Sequence, residues 1–322
     1  MPLPPPPPTW STTVADRRWT ARDIPGLRGR TAVVTGANTG LGFAIAAALA
    51  GRGADVVLAC RDAIKAAAAA DRISTLTPGA TVRTLPLDLA SLASVRAAAH
   101  HLHAAYDRVD LLVNNAGGIR RWYGVSEDGF ESTIAVNHIG PFAFTGLVLD
   151  LMTDVPGSRV VTVASNGHRQ GSIDPADLDP EQGPEYRFTT AYYRAKLANL
   201  LFTYELNRRL EASGSRTIAL AGNPGIARTD GGREMNRLVR TVLNPKVNPI
   251  VLALSQSAAK GALGPLRAAT DPDARGGDYY CPPGRAQRTG YPVRGTSSGL
   301  SHDIGLQRRL WRETELLTEV SY

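Results

Sequence analysis

The stretch that decides the fold is Thr35-Gly36-Ala37-Asn38-Thr39-Gly40-Leu41-Gly42, eight residues that include three glycines. A short run of β-branched and apolar residues, Thr31–Val34, precedes it, and the alanine-rich segment Leu41–Ala50 follows it. This pattern predicts a strand, a tight turn and a helix, because glycine permits the positive φ angles that such turns need. A turn of this kind brings the main chain and the N-terminus of the helix close enough to bind a pyrophosphate group.

The same alternation of apolar runs and helical segments continues along the chain. The further predicted strands are Asp55–Ala59, Thr81–Leu85, Val109–Val113, Arg159–Val163, Thr217–Ala221 and Gly277–Tyr280. The further predicted helices are an alanine-rich segment that ends near Ile73, then Ser91–Ala105, Gly129–Leu151, Tyr192–Ser213 and Leu306–Leu317. Strands that are apolar throughout and alternate with helices indicate an α/β protein: a single-domain Rossmann fold with a doubly wound parallel β-sheet and helices on both faces.

Three segments depart from this rhythm. Residues 1–20 begin with a run of prolines, which predicts an unstructured tail or, as the less favoured alternative, a docking motif for an SH3-like partner. The folded domain is then expected over residues 21–322. Within it, the polar stretch Gly231–Pro249 is expected to form a mobile substrate lid. Residues 281–322 are expected to form a loop rich in Gly, Pro and Ser, followed by the last helix.

Composition narrows the class of protein. The 322 residues carry a formal charge of +7, but the basic residues are scattered and form no dense run, so nucleic-acid binding is not expected. Two cysteines suit a reducing cytoplasm, and no signal sequence is evident. Every apolar run is interrupted by Arg, Asp or Gly, so no membrane-spanning segment or membrane partner is expected. The histidines at 100, 101 and 103 predict a solvated helix face and not a metal site.

Polar motifs follow several predicted strands, at the sheet edge where open α/β proteins bind ligands. Asn114–Gly117 follows the fourth strand, Ser165 follows the fifth, and Asn223–Gly225 follows the sixth. Each could equally be an ordinary turn. Tyr192 and Lys196 are spaced i, i+4 on one helix face, which is common on solvated helices. The pair also has a chemical use, because an ammonium group close to a phenol lowers a pKa that is otherwise near 10.

Taken in this order, the motifs resemble the short-chain dehydrogenase/reductase family, in its retinol-dehydrogenase-like branch and especially its soluble actinobacterial members. The resemblance extends from about Thr20 to Leu317. Ala164 and Ala195 depart from it, since the branch usually has serine at both positions. The resemblance implies that a nicotinamide cofactor is bound by Gly36, Asn38, Thr39, Gly40, Leu41, Gly42, Arg61, Asp88, Leu89, Asn115, Ala116, Gly117, Tyr192, Lys196, Pro224, Gly225 and Thr229.

The end of the second strand bears on which cofactor is used. An acidic residue there would hold the ribose 2′-hydroxyl of NAD, whereas an arginine accommodates the 2′-phosphate of NADP. The sequence has Arg61, whose planar, permanently charged guanidinium matches a phosphate, although it could instead be a surface residue paired with Asp62. Members of the branch with a Cys-Arg pair at this place prefer NADP(H). We therefore expect NADP(H), with NAD(H) as the weaker alternative.

The resemblance also implies the catalytic residues Asn137, Ser165, Tyr192 and Lys196. Tyr192 would be the general acid or base, Lys196 would lower its pKa, Ser165 would orient the substrate oxygen, and Asn137 would hold a water in a proton relay. The expected protein is a carbonyl reductase or alcohol dehydrogenase acting on a small molecule, for example a ketoreductase of secondary metabolism. The alternatives are a non-catalytic NADP(H)-binding sensor or scaffold, and an isomerase or dehydratase. The resemblance also allows a homodimer or homotetramer, because helices matching Gly129–Leu151 and Tyr192–Ser213 pair across subunits in the family, although monomeric members also exist.

Overall fold

One mostly parallel sheet organises the chain, for which we describe a computed structural model over residues 18–178, 185–227 and 255–322. Its spatial order is β3-β2-β1-β4-β5-β6-β7-β8, and the last strand runs antiparallel to its neighbour. The order reverses between β1 and β4, which opens a ligand crevice there at the carboxyl ends of the strands. The strands are β1 Thr31–Thr35, β2 Asp55–Cys60, β3 Val82–Pro86, β4 Leu111–Asn114, β5 Arg159–Val163, β6 Ile218–Gly222, β7 Tyr279–Cys281 and β8 Val293–Gly295.

Helices cover both faces of the sheet, as predicted. One face packs against α1, α2 and α7, and the other against α3, α4, α5 and α8. Side chains alternate across a strand, so Val34 of β1 lies in the first core and Val33 in the second. The helices of the described residues are α1 Gly40–Ala50, α2 Ala63–Leu76, α3 Leu92–Ala105, α4 Ser132–Leu151, α5 Phe188–Ala212, α6 Ala258–Gly261, α7 Leu263–Thr270 and α8 Ile304–Thr318.

The sequence prediction differs from the structure in several elements and at one end of the domain. β8 lies in the segment predicted as loop, and α6 and α7 were not predicted. Helix α5 begins at Phe188, one turn before Tyr192. The predicted tail reaches too far, because Trp19 is only 7% exposed in the core and Thr20 caps a short 3-10 helix at Ala21–Asp23. Burial of the indole ring thus fixes the chain before residue 21.

Helix α4 corrects the expectation that no segment could span a membrane. Its 20 residues, Ser132–Leu151, are long and apolar enough by length and composition. Most of the helix is buried within the protein, in the layer that covers the sheet. The apolar composition therefore has a structural cause, since a helix packed between the sheet and a further helix is surrounded by apolar neighbours.

The C-terminal helix α8 lies across α4 and α5. The Trp311 ring packs against Phe142 of α4 at a centroid distance of 4.9 Å and stacks on Phe202 of α5 at 5.9 Å. Tyr322 extends this cluster, and its hydroxyl donates to the Phe142 carbonyl at 3.1 Å. Helices α4 and α5, which correspond to the two segments expected to pair between subunits, are thus both packed against α8 and Tyr322 of the same chain. The predicted tail up to residue 17, the predicted lid and Thr229 lie outside the described residues.

Candidate active site

The glycine-rich turn and the Asn114–Gly117 motif are bonded to each other at the crevice between β1 and β4. The Thr35 hydroxyl accepts from the backbone N–H groups of Asn115 (3.0 Å) and Ala116 (2.9 Å). The Asn115 side-chain amide donates to the Thr35 carbonyl at 2.8 Å. A Cβ at Gly42 would lie 2.4 Å from the Asn115 amide nitrogen, so only glycine fits there. Two motifs about 80 residues apart in sequence therefore form one cradle.

The turn itself has the geometry that the sequence predicted. Gly36 has φ +64° and directly contacts Ala116, while Gly40 has φ +56° at the start of α1. Asn38 and Thr39 lie between these glycines, and Leu41 begins the buried face of the helix. The turn therefore directs the N-terminus of α1 into the crevice, where its N–H groups and dipole favour an anionic group.

Arg61 lies just after β2, beside Asp88. Its side chain is 62% exposed, and one guanidinium nitrogen is 3.8 Å from a carboxylate oxygen of Asp88. The alternative partner, Asp62, instead caps α2 and pairs with Lys65. Leu89, next to Asp88, is buried and its carbonyl closely approaches Gly140. Most of the Arg61 guanidinium thus faces solvent at the rim of the crevice.

Ser165 and Tyr192 face each other closely enough for the Ser165 side chain to influence the pKa of Tyr192. Ser165 caps a 3-10 helix, Asn166–Gln170, and its hydroxyl accepts from the Gly167 N–H at 3.2 Å. Tyr192 lies on the first turn of α5 and is partly exposed. Burial raises the pKa of Tyr192, and the Ser165 side chain acts in the opposite direction. The phenol is therefore protonated at neutral pH and has a hydroxyl neighbour that can hold a substrate oxygen.

Lys196 lies one helical turn beyond Tyr192 and is only 4% exposed. Its Nζ is 5.7 Å from the centre of the Tyr192 ring and donates to the Val163 carbonyl at 3.1 Å. Burial lowers the pKa of Lys196 to about 8. The expected lowering of the Tyr192 pKa by Lys196 is not seen in this geometry: the Lys196 ammonium donates to the Val163 carbonyl, and burial has the largest effect on the Tyr192 pKa and raises it.

Asn137 completes the predicted group. It lies in a π-helical turn, Ala135–Ile139, and such turns are frequent at functional sites. Its amide nitrogen donates to the carbonyls of Gly118 (3.1 Å) and Thr133 (2.8 Å), and its oxygen accepts from the Gly118 N–H (3.2 Å). Gly117 has φ +146°, and a Cβ there would lie 2.4 Å from the Asn137 side-chain oxygen and 3.6 Å from the Lys196 nitrogen. The chain thus brings Asn137, Gly117 and Lys196 together.

Pro224 and Gly225 follow β6 at the same edge of the sheet. Gly225 has φ +64°, and a Cβ there would lie 2.3 Å from the Arg288 carbonyl oxygen. The segment is held by Gln256, whose amide donates to the Pro224 carbonyl at 2.6 Å. The predicted Pro-Gly motif therefore lies in the crevice, packed against the segment that joins β7 to β8.

Two buried residues that contact the predicted site residues Ser165 and Asn137 were not predicted. The His168 Nδ1–H donates to the Ser165 carbonyl at 2.6 Å, and its Nε2 accepts from the Ser298 N–H at 3.0 Å, which fixes the neutral tautomer. Burial lowers the pKa of His168 to about 4. Asn199, one turn after Lys196, donates its amide to the Asn137 carbonyl at 2.6 Å. No local motif marks either residue, because the bond from His168 to Ser298 and the bond from Asn199 to Asn137 each join separate elements.

The predicted histidine cluster has a structural role at residue 103. The His103 ring bonds to the Ala99 carbonyl and to Asp150, and these bonds raise its pKa. His100 and His101 are neighbours on the same helix with their rings 6.4 Å apart. Across residues 18–178, 185–227 and 255–322, no three His, Cys, Asp or Glu side chains are grouped so that they could hold a metal ion.

Known proteins share these features. The family model described as short chain dehydrogenase matches residues 30–176. Human retinol dehydrogenase 13 is 39% identical over 293 residues, which cover 90% of this chain and 85% of that protein. Mouse retinol dehydrogenase 14 is 40% identical over 269 residues, which cover 80% and 79%. The crystal structure of an uncharacterized protein from Mycobacterium paratuberculosis has 38% identity and a TM-score of 0.77, and the match covers 94% of this chain and 98% of that one.

The matches to human retinol dehydrogenase 13 and to the Mycobacterium paratuberculosis structure cover 90% and 94% of this chain. The chain therefore belongs to the short-chain dehydrogenase/reductase family, in its retinol-dehydrogenase-like branch, and is an oxidoreductase that acts on alcohol or carbonyl groups.

Proposed function

We propose that the protein is an NADP(H)-dependent carbonyl reductase, reversible as an alcohol dehydrogenase, with Tyr192 as its proton donor. The observation that carries this proposal is the grouping of Ser165, Tyr192 and Lys196: the buried Lys196 ammonium lies 5.7 Å from the centre of the Tyr192 ring, and the Ser165 side chain acts on the Tyr192 phenol. This group lies at the carboxyl edge of the sheet, where the glycine-rich turn also opens.

The chain's own residues fit a dinucleotide. The glycine-rich turn would hold the pyrophosphate, because Gly36 and Gly42 leave space where any side chain would collide with the motif after β4. Arg61 would bind the 2′-phosphate, since its guanidinium is exposed at the rim and can make charge-assisted bonds. The Pro224–Gly225 segment would contact the nicotinamide end. Bound in this way, the cofactor would supply the hydride.

When a carbonyl substrate is reduced, each of the four proposed catalytic residues has one task. Ser165 holds the substrate oxygen by hydrogen bonding as negative charge develops on it. Tyr192 donates its phenolic proton to that oxygen. The raised pKa of Tyr192 keeps this proton on the phenol at neutral pH, so it is available for transfer. The Lys196 ammonium stabilises the phenolate that remains, because an opposite charge nearby favours the charged form. Asn137 would hold a water through which a proton returns from solvent.

The test is a pair of conservative substitutions on adjacent residues. Tyr192→Phe removes only the phenolic oxygen and should lower turnover at least about 100-fold, while NADPH binds nearly as before, because general acid catalysis contributes about 10²–10⁴-fold. Tyr193→Phe is the matched control, with its ring 6.4 Å from that of Tyr192, and should keep most of the activity.

The assay follows NADPH absorbance with a panel of 4-nitrobenzaldehyde, all-trans-retinal, cyclohexanone and a steroid ketone, and measures NADPH binding by fluorescence. Full activity of Tyr192→Phe would refute the assignment. If the wild-type protein bound NADPH but reduced no carbonyl and oxidised no alcohol of a matching panel, the binding-only alternative of a sensor or scaffold would be favoured.

A further inference from the structure

Gln287 has an unusual backbone conformation for its position. Its φ is +44°, in the left-handed region that glycine and asparagine adopt most readily. Across the described ranges the other non-glycine residue with positive φ is Glu319, which is highly exposed just after α8. Gln287, in contrast, is only 6% exposed. A buried left-handed glutamine persists only where its surroundings hold it in place.

The Gln287 side chain is fixed at both ends by the β7–β8 hairpin. Its oxygen accepts from the Tyr279 hydroxyl at 3.1 Å, and its nitrogen donates to the Thr296 carbonyl at 3.1 Å. Tyr279 belongs to β7, and Thr296 directly follows β8. The amide thus spans the hairpin and determines how the intervening segment leaves it.

The main chain around Gln287 holds the loop that follows the catalytic serine. The Asn166 side-chain nitrogen donates to the carbonyls of Ala286 (2.8 Å) and Gln287 (2.9 Å). Asn166 is the residue immediately after Ser165. The left-handed turn aims two successive carbonyl oxygens at a single amide group, which an extended backbone would not do.

The same turn holds the segment after β6. The Arg288 carbonyl accepts from the Ile226 N–H at 2.7 Å and packs against Gly225. Asn223 joins the two held segments, because its side-chain nitrogen donates to the Asn166 oxygen at 2.9 Å. Residues 286–288 therefore touch both the serine loop and the Pro224–Gly225 segment.

We propose that Gln287 is a positioning residue that sets the distance between Ser165 and the Pro224–Gly225 segment. This inference rests on the proposed function, in which the serine holds the substrate oxygen and the Pro-Gly segment holds the nicotinamide end. Hydride transfer depends steeply on that distance, and a displacement of about 1 Å can cost about 100-fold in rate. Gln287 touches neither reactant, so it acts through the two segments.

The decisive variant is Gln287→Gly, which removes the side chain but accepts the left-handed backbone without cost. Its kcat with NADPH and the best carbonyl substrate of the panel should fall at least tenfold. The KM values for NADPH and for that carbonyl should stay within about threefold of the wild-type values. Amide hydrogen exchange should become faster in residues 165–170 and 223–227 together. Glu319→Gly is the control, since it makes the same replacement at the other left-handed residue and should change neither measurement.

A second variant guards against misfolding of the first. Asn166→Ala leaves Gln287 in place and removes the bonds from the opposite side, so it should also speed exchange in residues 223–227. Wild-type kcat and unchanged exchange in a folded Gln287→Gly would overturn the inference, as would unchanged exchange at 223–227 in Asn166→Ala. Amide hydrogen exchange can be measured without turnover. If the wild-type protein reduces no carbonyl, the proposed function is refuted, but the exchange rates of the two variants still test whether Gln287 holds the two segments.

Discussion

Replacing Lys196 by methionine should stabilise the protein near neutral pH, although it removes a residue that the proposed mechanism requires. Burial lowers the pKa of Lys196 from 10.5 to about 8. At 1.36 kcal/mol per pKa unit, keeping this buried group charged below pH 8 costs about 3 kcal/mol. Methionine has a similar length and no charge, but it loses the bond to the Val163 carbonyl, which contributes about 1 kcal/mol. The expected net gain at pH 7 is about 2 kcal/mol.

The gain should depend on pH in a defined direction. Below pH 8 the lysine is protonated in both the folded and the unfolded chain, so the folded wild type bears the full cost of the buried charge. Between about 8 and 10.5 the folded protein has lost this proton while the unfolded chain still binds it. Wild-type stability therefore rises with pH across this interval relative to the methionine variant, and the advantage of the variant disappears.

Urea denaturation at pH 7 and pH 9.5 measures both effects. Lys65→Met is the control, because Lys65 is an exposed lysine paired with Asp62 and its removal should change the unfolding free energy by less than about 1 kcal/mol. If Lys196→Met were no more stable than the wild type at pH 7, or if the difference were the same at both pH values, the account of a buried ammonium would be wrong. NADPH oxidation should be lost in the same variant, which would show that the lysine is kept for chemistry at the expense of stability.

Three further outcomes are expected. Gly117→Ala should weaken NADPH binding and lower the unfolding free energy by more than about 1 kcal/mol, because Gly117 has φ +146° and an added Cβ would collide with Asn137. Gly118→Ala is the control, since no atom lies within 4 Å of a Cβ added at Gly118. Calorimetry and NADPH titration should not distinguish this control from the wild type. Arg61→Ala should weaken NADPH binding about tenfold or more and leave NADH binding unchanged, since a charge-assisted bond from the guanidinium to the 2′-phosphate would contribute about 1.5–3 kcal/mol. Equal losses of affinity for both cofactors would contradict the proposed binding of the 2′-phosphate by Arg61. Sedimentation should give the mass of one chain, because α8 covers α4 and α5; a dimer built on those two helices would contradict this.

The regular elements of the fold could be predicted because their physical cause is local. β1, β2 and β5 have largely apolar central residues, as is typical of strands covered on both faces, and the glycine-rich turn marks the first crossover. β8 has no such signal, since its three residues, Val293–Gly295, are stabilised by antiparallel pairing with β7 and not by their own periodicity. α4 was predicted as a helix, but its burial depends on α8 and could not be inferred from its own sequence.

The candidate site divides in the same way. Ser165, Tyr192 and Lys196 lie in short motifs, and the structure brings them together with Asn137. Gln287 lies in no motif, and its contact with Asn166 joins residues 121 positions apart. Bonds of this kind depend on the path of the whole chain between their ends, so composition and spacing carry no trace of them.

The pKa of Tyr192 shows where sequence reasoning was incomplete. The i+4 spacing predicted a lowered pKa, yet burial raises it, and burial also lowers the pKa of Lys196. Each group is thereby shifted toward its neutral form, because a low-dielectric surrounding disfavours charge. If Tyr192 gives up its proton in the proposed reaction, the phenolate and the ammonium would stabilise each other. In the proposed mechanism, reduction would start from the protonated phenol that burial favours, whereas oxidation would need the phenolate first. We therefore expect carbonyl reduction to be favoured at neutral pH and alcohol oxidation at higher pH, which pH profiles measured in both directions would test.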